Sequence, residues 1–417
     1  ISRWHGPGCQ IPNIFVDNST STPSCRTCGR APNLADMVDE QASLSSYPKP
    51  PPDELAGEMN LWWPPTVKYV NFPELEPLTR PEQNVGTASQ AANKEPCDSN
   101  PVYSVPLSEN YIRLAVLTRS ADSSFPVHLE LETYSLENHP EYETASYNWG
   151  GENNDNTRCH PIYIGPYWDV VLQAQNCWNM LRFLRLNRGL RLVWVDAICI
   201  NQFDNTERAE QVSFMGRIYR QGFQVVVHLG DDIAPVLEKK RWPQRELFLH
   251  LDSLEFGGTA IMLRRYFTRL WVIQELVLSS RVVIRVGDVD YWTDCSGFLW
   301  LQLNRYNSEG ELDIKALHSS WKSYMATGNH FWHDLSDLLR LTRNMACADP
   351  RDRVFGLVGL ISPSEQTFDP DYSLSTRHIF TGFFAHLLTE AKRHHLLAYA
   401  AGLYDGCREM ELSSQPT

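Results

Sequence analysis

The middle of the chain changes from strand-like to helix-like spacing of its hydrophobic positions. The β-branched run over residues 193–200 predicts a buried strand. Asp204, followed by Glu207 three positions later, has the form of a capping box and predicts the start of a helix. Apolar residues then recur at helical spacing up to Gly222, and a second apolar run begins at Val225. Strand, helix and strand within about 35 residues indicate a βαβ unit.

Hydrophobic patterning divides the whole chain into three expected parts. Residues 1–105 are rich in proline and polar residues and predict an irregular N-terminal arm with a linker. Residues 106–290 contain short alternating runs, which predict an α/β domain with a small, mostly parallel sheet flanked by helices. Residues 291–417 have mainly helical spacing, so a helical C-terminal part is expected. Strands are expected near 112–117, 127–132, 145–147, 162–164 and 282–284, and helices near 169–187, 312–345 and 378–391.

Composition and charge narrow the class of protein. The chain has 417 residues, 42% of them hydrophobic, which is enough to bury a substantial core. Its net charge of −13 argues against a nucleic-acid partner, because neutralising phosphates needs clustered lysine and arginine. No apolar run approaches the roughly 18 residues of a membrane span, and no secretory signal is visible. Ten scattered cysteines suit a reducing compartment, so a cytoplasmic location is expected.

Four potential metal ligands lie in the N-terminal arm. Cys25 and Cys28 have the C-x-x-C spacing of a zinc half-knuckle, and Gly29 follows directly, as such turns often require. His5 and Cys9 complete a set of four ligands. The other interpretation is that these cysteines are free thiols that pack within the arm. The sequence leaves both interpretations open.

Polar side chains follow the predicted strands at the point where each strand ends. Asn201 and Gln202 come after the central apolar run, and Trp149 follows another predicted strand. Ligands of open α/β sheets bind outside the carboxyl ends of the strands, so we expect a small-molecule ligand in a cleft there. Asn201 has the alternative role of capping a turn. Asp196 lies inside the apolar run and needs a partner, such as Arg208 or backbone N–H groups.

Four segments resemble, in order and spacing, the motifs of the fungal heterokaryon-incompatibility (HET) domain. They span Tyr142–Gly150, Trp194–Gln211, Tyr266–Leu276 and Asp349–Leu357, within residues 110–360. The first segment departs from the family at Thr144 and Ala145, where Ala-Leu is frequent. The resemblance implies a protein of the non-self recognition and cell-death type.

HET domains have been regarded as remote relatives of TIR domains, and the resemblance extends to one candidate for catalysis. The segment with Trp271 and Glu275 is similar to the TIR element in which a tryptophan precedes, by four positions, the glutamate needed for NAD cleavage. The resemblance implies that NAD is the substrate and that Glu275 stabilises an oxocarbenium-like transition state. The residues expected to bind the substrate are Tyr147, Trp149, Asp196, Asn201, Gln202, Arg208, Arg269 and Trp271. The alternative for Glu275 is a structural ion pair with Arg269 or Arg265.

Two other functions remain open on the sequence alone. Aromatic residues of the helical part are compatible with an apolar cavity between the sheet and the helices. They are Trp292, Trp300, Trp321, Phe331 and Trp332. Such a cavity would suit a cyclase acting on a terpenoid-like or polyketide-like molecule, although aromatic residues at helical spacing also form ordinary cores. The last interpretation is an interaction module that signals through homo-oligomers and does no chemistry.

Overall fold

The structure is a computed structural model in which strands and helices gather around one large sheet. It describes residues 2–17, 20–43, 49–55, 59–65, 67, 102–122, 124–230, 232, 248–250, 264–286, 289–294, 338–339, 342–343, 345–361, 368–394 and 397. The strands of these ranges, β1 to β12, span Ile14–Val16, Pro23–Cys25, Tyr111–Leu117, His128–Ser135, Glu143–Tyr147, Arg158–Ile164, Asp169–Ala174, Arg191–Trp194, Val225–His228, Phe248–His250, Arg281–Val286 and Val289–Asp294. Their α-helices, α1 to α7, span Leu34–Ser43, Gln175–Leu184, Asp196–Cys199, Asn205–Gln221, Trp271–Val277, Asp352–Val358 and Thr376–Thr389, and a 3-10 turn spans Arg265–Thr268. None of the described helices has both the length and the hydrophobicity needed to cross a membrane.

Strands β3 to β12 form one mixed sheet in the order β10-β12-β11-β9-β5-β8-β3-β4-β6-β7. Its centre is parallel, since β11, β9, β5 and β8 are neighbours that run in one direction. The hairpins β3-β4, β6-β7 and β11-β12 are antiparallel and extend the sheet on both sides. The expected α/β class is confirmed. The expected small, mostly parallel sheet is not confirmed, because an alternating strand pattern reveals neither the partner of a strand nor its direction.

Two expected elements have different bounds because a short apolar run suits a buried strand and a buried helix equally well. The strand expected over 193–200 ends at Trp194, and α3 continues the buried run through Cys199. The helix expected over 169–187 is strand β7 followed by helix α2. The helix expected over 378–391 is α7. The linker near 80–101 and most of the helical interval, 312–337, lie outside the described residues.

The parallel centre of the sheet is buried on both faces. Val225, Val226 and Val227 of β9 are at most 1% exposed, as expected for a strand covered by helices. In the sheet, β5 has β8 as its neighbour on one side and β9 on the other. The chain therefore runs from β5 to β8 and then crosses back over β5 to reach β9. Because such connections are right-handed, α2 and α4 lie on opposite faces of the sheet. This reversal beside β5 is a topological switch point, where open α/β sheets bind their ligands.

The N-terminal arm is more ordered than the sequence predicts. Strands β1 and β2 pair in a small antiparallel sheet, and helix α1 follows them. Ser2 pairs with Val170 of the edge strand β7, and the Trp4 indole N–H donates to the Trp168 carbonyl at 2.8 Å. The arm therefore covers an edge of the large sheet that would otherwise be open for pairing with another chain.

A later part of the arm packs against helix α7. The Ser375 hydroxyl donates to Glu54 at 2.5 Å, and the Trp63 indole N–H donates to the Asp369 carbonyl at 3.1 Å. Trp63 is 3% exposed and packs edge-on against Phe368. Segments from the expected arm and from the expected C-terminal part therefore share one core.

Candidate functional site

A polar cluster lies at the carboxyl ends of β5 and β8. Ser146 is the second-last residue of β5, and the contact of its hydroxyl with Glu275 shows that it faces α5. Trp149 follows the end of β5, and Asp196 follows the end of β8. Arg269 enters the cluster from the residue after the 3-10 turn that precedes α5. The cluster thus lies beside the switch point of the sheet, where a ligand site is expected.

Glu275 is almost fully buried, with 3% of its side chain exposed. The Ser146 hydroxyl donates to one carboxylate oxygen, and the Arg269 guanidinium lies 3.5 Å from the other. The same hydroxyl contacts the hydroxyl of Tyr266 at 2.5 Å. Burial raises the pKa of Glu275 above its usual value, and the charge of Arg269 and the hydrogen bond from Ser146 offset only part of this. The structural ion pair with Arg269 is therefore present, although its distance is long.

Asp196 has partners that differ in part from those expected. The Trp149 indole N–H donates to one carboxylate oxygen at 2.9 Å, and the next backbone N–H donates to the other at 2.7 Å. Burial raises the pKa of Asp196, and the charge of Arg269 opposes this. Of the two alternatives that the sequence left open for Asp196, the backbone N–H partner is present. Arg208, the other alternative, pairs with Asp349 at 3.5 Å instead.

The positive charge of Arg269 acts on both carboxylates of the cluster, Glu275 and Asp196. Its Nη1 donates to the Tyr147 carbonyl at 2.7 Å, which holds the guanidinium at the end of β5. Burial lowers the pKa of Arg269, but the charges of Glu275 and Asp196 outweigh this effect and raise it. The Tyr147 hydroxyl also interacts with Asp196. The Arg269 side chain is 17% exposed and lies at the end of a strand. A cation near two carboxylates whose pKa values are raised is frequent in functional sites.

Two of the expected binding residues stabilise the loop after β8. The Asn201 side-chain oxygen accepts a hydrogen bond from the Phe203 N–H at 3.3 Å, as the turn-capping alternative requires. The Gln202 amide donates to the carbonyl of Asp196 at 2.8 Å. Gln202 therefore supports the backbone of the cluster. Within the described residues, the Asn201 side chain makes no hydrogen bond to the cluster itself.

Trp271 and Arg208 belong to a second buried cluster, between α5 and α6. The Trp271 indole N–H donates to Asp352 at 3.1 Å, and the Tyr372 hydroxyl donates to the same carboxylate at 2.7 Å. The Arg208 guanidinium lies over the Tyr372 ring, 3.8 Å from its centroid. The Trp271 indole N–H thus donates to Asp352 in the second cluster, and Glu275, four positions further along the same helix, lies in the first cluster.

The buried Asp352 carboxylate makes the stability of the fold depend on pH. Burial and the neighbouring Asp349 raise the pKa of Asp352 from 3.8 to about 6. The folded protein therefore favours the protonated form of Asp352. The stability that this form contributes is complete below the ordinary pKa of 3.8 and is lost as the pH rises through about 6. We expect the unfolding free energy of Asp352→Asn, relative to wild type, to rise by on the order of 2–3 kcal/mol from pH ~4 to pH ~8. Urea unfolding at both pH values measures this change.

Asp349 supplies a control of opposite sign for that experiment. Burial raises the pKa of Asp349, but hydrogen bonds from Arg351 outweigh it and lower the pKa. Asp349→Asn should therefore lose stability relative to wild type as the pH rises from about 2 to about 4, because the lowered pKa places this titration below the ordinary value of 3.8. Parallel pH profiles for the two asparagine variants would contradict the opposite shifts in pKa.

The sequence-based choice of residues missed Ser146 and Tyr266, although both lie in the HET-like motifs. Alternation along β5 places Ser146 on the face opposite to Ala145 and Tyr147. A serine among buried strand residues needs a hydrogen-bond partner, and this was the available signal. Its partner Glu275 is 129 positions away along the chain, so only the fold identifies it.

The four candidate metal ligands of the N-terminal arm come together. Ligand atoms of His5, Cys9, Cys25 and Cys28 all lie within 4.8 Å of one another. The three cysteines are free thiols, and two of them are buried.

Cys199 is different, because it is buried in α3, where desolvation raises the pKa of its thiol to about 12. Cys199 therefore acts as a packing residue.

The expected aromatic cavity falls mostly outside the described part of the chain. Trp292 lies in β12 and packs against the core, 5.7 Å from the Arg281 guanidinium. The residues outside the described ranges are Trp300, Trp321, Phe331 and Trp332. A cavity of about 510 Å³ lies at the amino ends of β9 and β11, with Arg220, Phe223 and Arg281 in its lining, on the opposite edge from Glu275. The cyclase interpretation stays a prediction.

Comparisons with known proteins concern the same part of the chain as the Glu275 cluster. Residues 142–275 match the model of the heterokaryon incompatibility protein (HET) family. The chain is similar to heterokaryon incompatibility protein 6, OR allele, of Neurospora crassa, at 25% identity over 350 residues that cover 66% of this chain and 51% of the relative. It is also similar to vegetative incompatibility protein HET-E-1 of Podospora anserina, at 27% identity over 158 residues that cover 36% of this chain and 10% of the relative.

The matches cover only part of this chain and only part of each relative. The chain spans about half the length of the first relative and a tenth of the second. No solved structure matches the chain. The family match is shorter than the expected 110–360, so the Asp349 segment lies outside it. Neither the family match nor these relatives support the expected remote likeness to TIR domains. Residues 142–275 are therefore similar to the heterokaryon-incompatibility (HET) domain, and both relatives are fungal proteins named for incompatibility.

Proposed function

We propose that this chain acts in fungal non-self recognition, as a protein of the incompatibility and cell-death type. The proposal is supported by the HET match over residues 142–275 and by two fungal relatives whose names describe incompatibility proteins. The matched segment begins just before Ser146 and ends at Glu275. These two residues, at the limits of the match, meet in the buried cluster. The cluster is therefore the place where we look for the activity of the domain.

The activity proposed for this cluster is cleavage of the N-glycosidic bond of NAD. The observation that carries it is the placement of Glu275 and Asp196 around the Arg269 guanidinium, beside the switch point of the sheet. A carboxylate in a site of low polarity stabilises a developing positive charge more strongly than it would in water. Trp149 is half-buried at the same edge and offers an aromatic face on which a nucleotide base can stack.

This reaction does not require a general acid. The nicotinamide nitrogen of NAD already carries a positive charge, so it leaves without being protonated. The bond from that nitrogen to C1′ of the ribose breaks, and its electron pair returns to the ring of neutral nicotinamide. The Glu275 carboxylate stabilises the cation left on the ribose. Water adds to C1′ and releases a proton to solvent, which completes ADP-ribose.

The direct test is nicotinamide release by the full chain and by Glu275→Gln. The glutamine keeps the size of the side chain and removes its charge, so we expect NAD cleavage to fall by about 100-fold or more. Burial raises the pKa of Glu275, so wild-type activity should also fall as the medium is acidified through that pKa. The measurement is the release of nicotinamide over time, with thermal melting of each variant recorded in parallel.

Glu143→Gln is the matched control. Glu143 lies at the amino end of β5, the strand that carries Ser146, and it pairs with Arg191 as Glu275 pairs with Arg269. Loss of the Glu143 carboxylate should leave NAD cleavage unchanged, because it lies at the amino ends of the parallel strands, opposite to the Glu275 cluster. A well-folded wild type that releases no nicotinamide, or equal activities of the two glutamine variants, would remove the hydrolase proposal. An inert wild type that forms oligomers would favour the interaction module.

The cellular role has a separate test. Expression of the full chain in a filamentous fungus is expected to arrest growth or kill cells. Cell death with wild type but not with Glu275→Gln would tie the incompatibility role to the cluster. Equal killing by both would keep the incompatibility role and reject the chemistry at Glu275. Normal growth with abundant wild-type protein would count against the incompatibility role of this chain.

A further inference from the structure

We propose that the N-terminal arm holds one structural zinc ion, bound by Cys9, Cys25, Cys28 and His5. The sulfur atoms of Cys9 and Cys25 are 3.8 Å apart, and the Cys28 sulfur is 3.5 Å from Nδ1 of His5. With Zn–S bonds of about 2.3 Å and Zn–N bonds of about 2.1 Å, a tetrahedral ion separates its ligands by about 3.6–3.8 Å. Two of the six ligand separations thus already match those of a Cys3His zinc site, and all six are within 4.8 Å.

The orientation of His5 provides independent support. Its Nε2 lies 2.8 Å from the carbonyl of Tyr167. A carbonyl only accepts hydrogen bonds, so Nε2 carries the proton of the neutral ring. The lone pair of Nδ1 is then directed at the Cys28 sulfur and the other two thiols. Zinc-bound histidines usually have this arrangement, in which the second ring nitrogen donates to a backbone carbonyl and sets the tautomer.

The loop around Cys25 and Cys28 has the backbone of a zinc-binding turn. Gly29 has a φ of +69°, a conformation that L side chains rarely adopt, and its N–H donates to the Cys25 carbonyl at 2.8 Å. The Cys25 N–H donates to the Arg30 carbonyl at 2.8 Å, which closes the turn that carries both cysteines.

The set of ligands favours zinc over the other uses of cysteine. A disulfide between Cys9 and Cys25 would need the sulfurs at about 2.05 Å and would leave Cys28 and His5 without a function. A free Cys28 thiol that donates its S–H to Nδ1 of His5 accounts for one of the three sulfurs, and it leaves the approach of Cys9 and Cys25 unexplained. Three thiolates and one imidazole in a closed, largely buried shell are typical of structural zinc sites, which leave no position open for a substrate.

The ion would fix the arm on the edge of the large sheet. His5 is one ligand, and its neighbours bind β7 directly: Arg3 makes two hydrogen bonds to Asp169, at 2.7 and 2.8 Å. Trp4, Cys9 and Cys25 pack in a small apolar cluster with Val170 and Leu172 of β7 and Tyr163 of β6. Because this cluster is small, loss of the ion should release the arm and expose the β7 edge.

The test is the zinc content of the full chain, purified under reducing conditions without chelator, and of two variants. We expect about one zinc per chain in wild type and less than about a tenth of that in Cys28→Ser, which removes one of four ligands. Cys159→Ser is the matched control, because Cys159 is also a partly exposed free thiol but lies outside the ligand group. Its zinc content should equal that of wild type.

Two further measurements keep the inference testable if Cys28→Ser folds poorly. Adding Co²⁺ to chelator-treated wild type should produce the intense visible bands of a tetrahedral thiolate site, and Zn²⁺ should displace them. Chelator should also speed proteolysis within residues 2–43 several-fold, and added zinc should reverse this. Wild type that neither contains zinc nor takes it up, equal zinc in both serine variants, or a Cys9–Cys25 disulfide under these conditions would overturn the inference.

Discussion

Replacing Arg113 by methionine is expected to lower the unfolding free energy by about 3–5 kcal/mol. Arg113 on β3 is 4% exposed and donates to both oxygens of Glu207 on α4, at 2.5 and 3.1 Å. Methionine fills much of the same volume but leaves the buried carboxylate with the Asn201 N–H as its remaining strong donor. An unpaired buried charge costs far more than the pair contributes. Urea unfolding of both proteins measures the difference.

Two matched variants show whether the loss comes from the buried charge. Arg217→Met removes an arginine that pairs with Glu137 at 2.6 Å on the surface, and it should cost less than about 1 kcal/mol. Replacing Arg113 and Glu207 together by methionine should recover most of the stability. If Arg113→Met is no more harmful than Arg217→Met, the Arg113 pair does not hold α4 on the sheet.

The second large effect is expected for Gly382→Ala, at roughly 3 kcal/mol of destabilisation. Gly382 is buried on α7, and a Cβ there would lie 2.0 Å from the backbone oxygen of Trp63. A backbone atom cannot rotate away as a side chain can, so the segment with Trp63 must move off the helix. The predicted sign is opposite to helix propensity, which favours alanine over glycine by about 1 kcal/mol. Thermal and urea unfolding measure the loss.

The neighbouring position supplies the control for this substitution. Thr381 is exposed on the same helix, so Thr381→Ala should stabilise the protein slightly, by a few tenths of a kcal/mol. A fall in tryptophan burial for Gly382→Ala, but not for Thr381→Ala, would locate the damage at Trp63. Equal stability of the two alanine variants would mean that the N-terminal segment does not pack on α7.

Several elements of the fold were predictable from the sequence because their signals are local. Asp204 accepts hydrogen bonds from the N–H groups of Thr206 and Glu207, at 2.9 and 3.2 Å, and caps α4 as expected. The strand at Val225 and helix α7 also follow their hydrophobic spacing. The capping box itself is incomplete, since the Glu207 side chain turns to Arg113. Glu207 pairs with the more distant Arg113 because Arg113 supplies a positive charge.

The candidate site was predictable in part. The sequence placed Trp149, Asn201 and Glu275 near the ends of predicted strands. The fold brings Trp149 and Glu275 to one end of the sheet together with Asp196, whereas the Asn201 side chain caps its own turn. It offered Arg208 or backbone N–H groups as partners of Asp196; a backbone N–H is present, whereas Arg208 pairs with Asp349 in a different cluster. Nothing within a few positions of an arginine encodes which distant carboxylate it will meet, so this choice could not be made before the fold was known.

The sequence by itself determined the α/β class, the capped helix after β8, the HET-like motifs and the four candidate metal ligands, since each depends on residue types a few positions apart. Only the tertiary structure decided that antiparallel hairpins extend the sheet to ten strands and that the N-terminal arm closes one of its edges. It also decided that Ser146 meets Glu275 and that His5 meets Cys28. These contacts join distant positions, and their formation depends on how the whole core packs rather than on local preference.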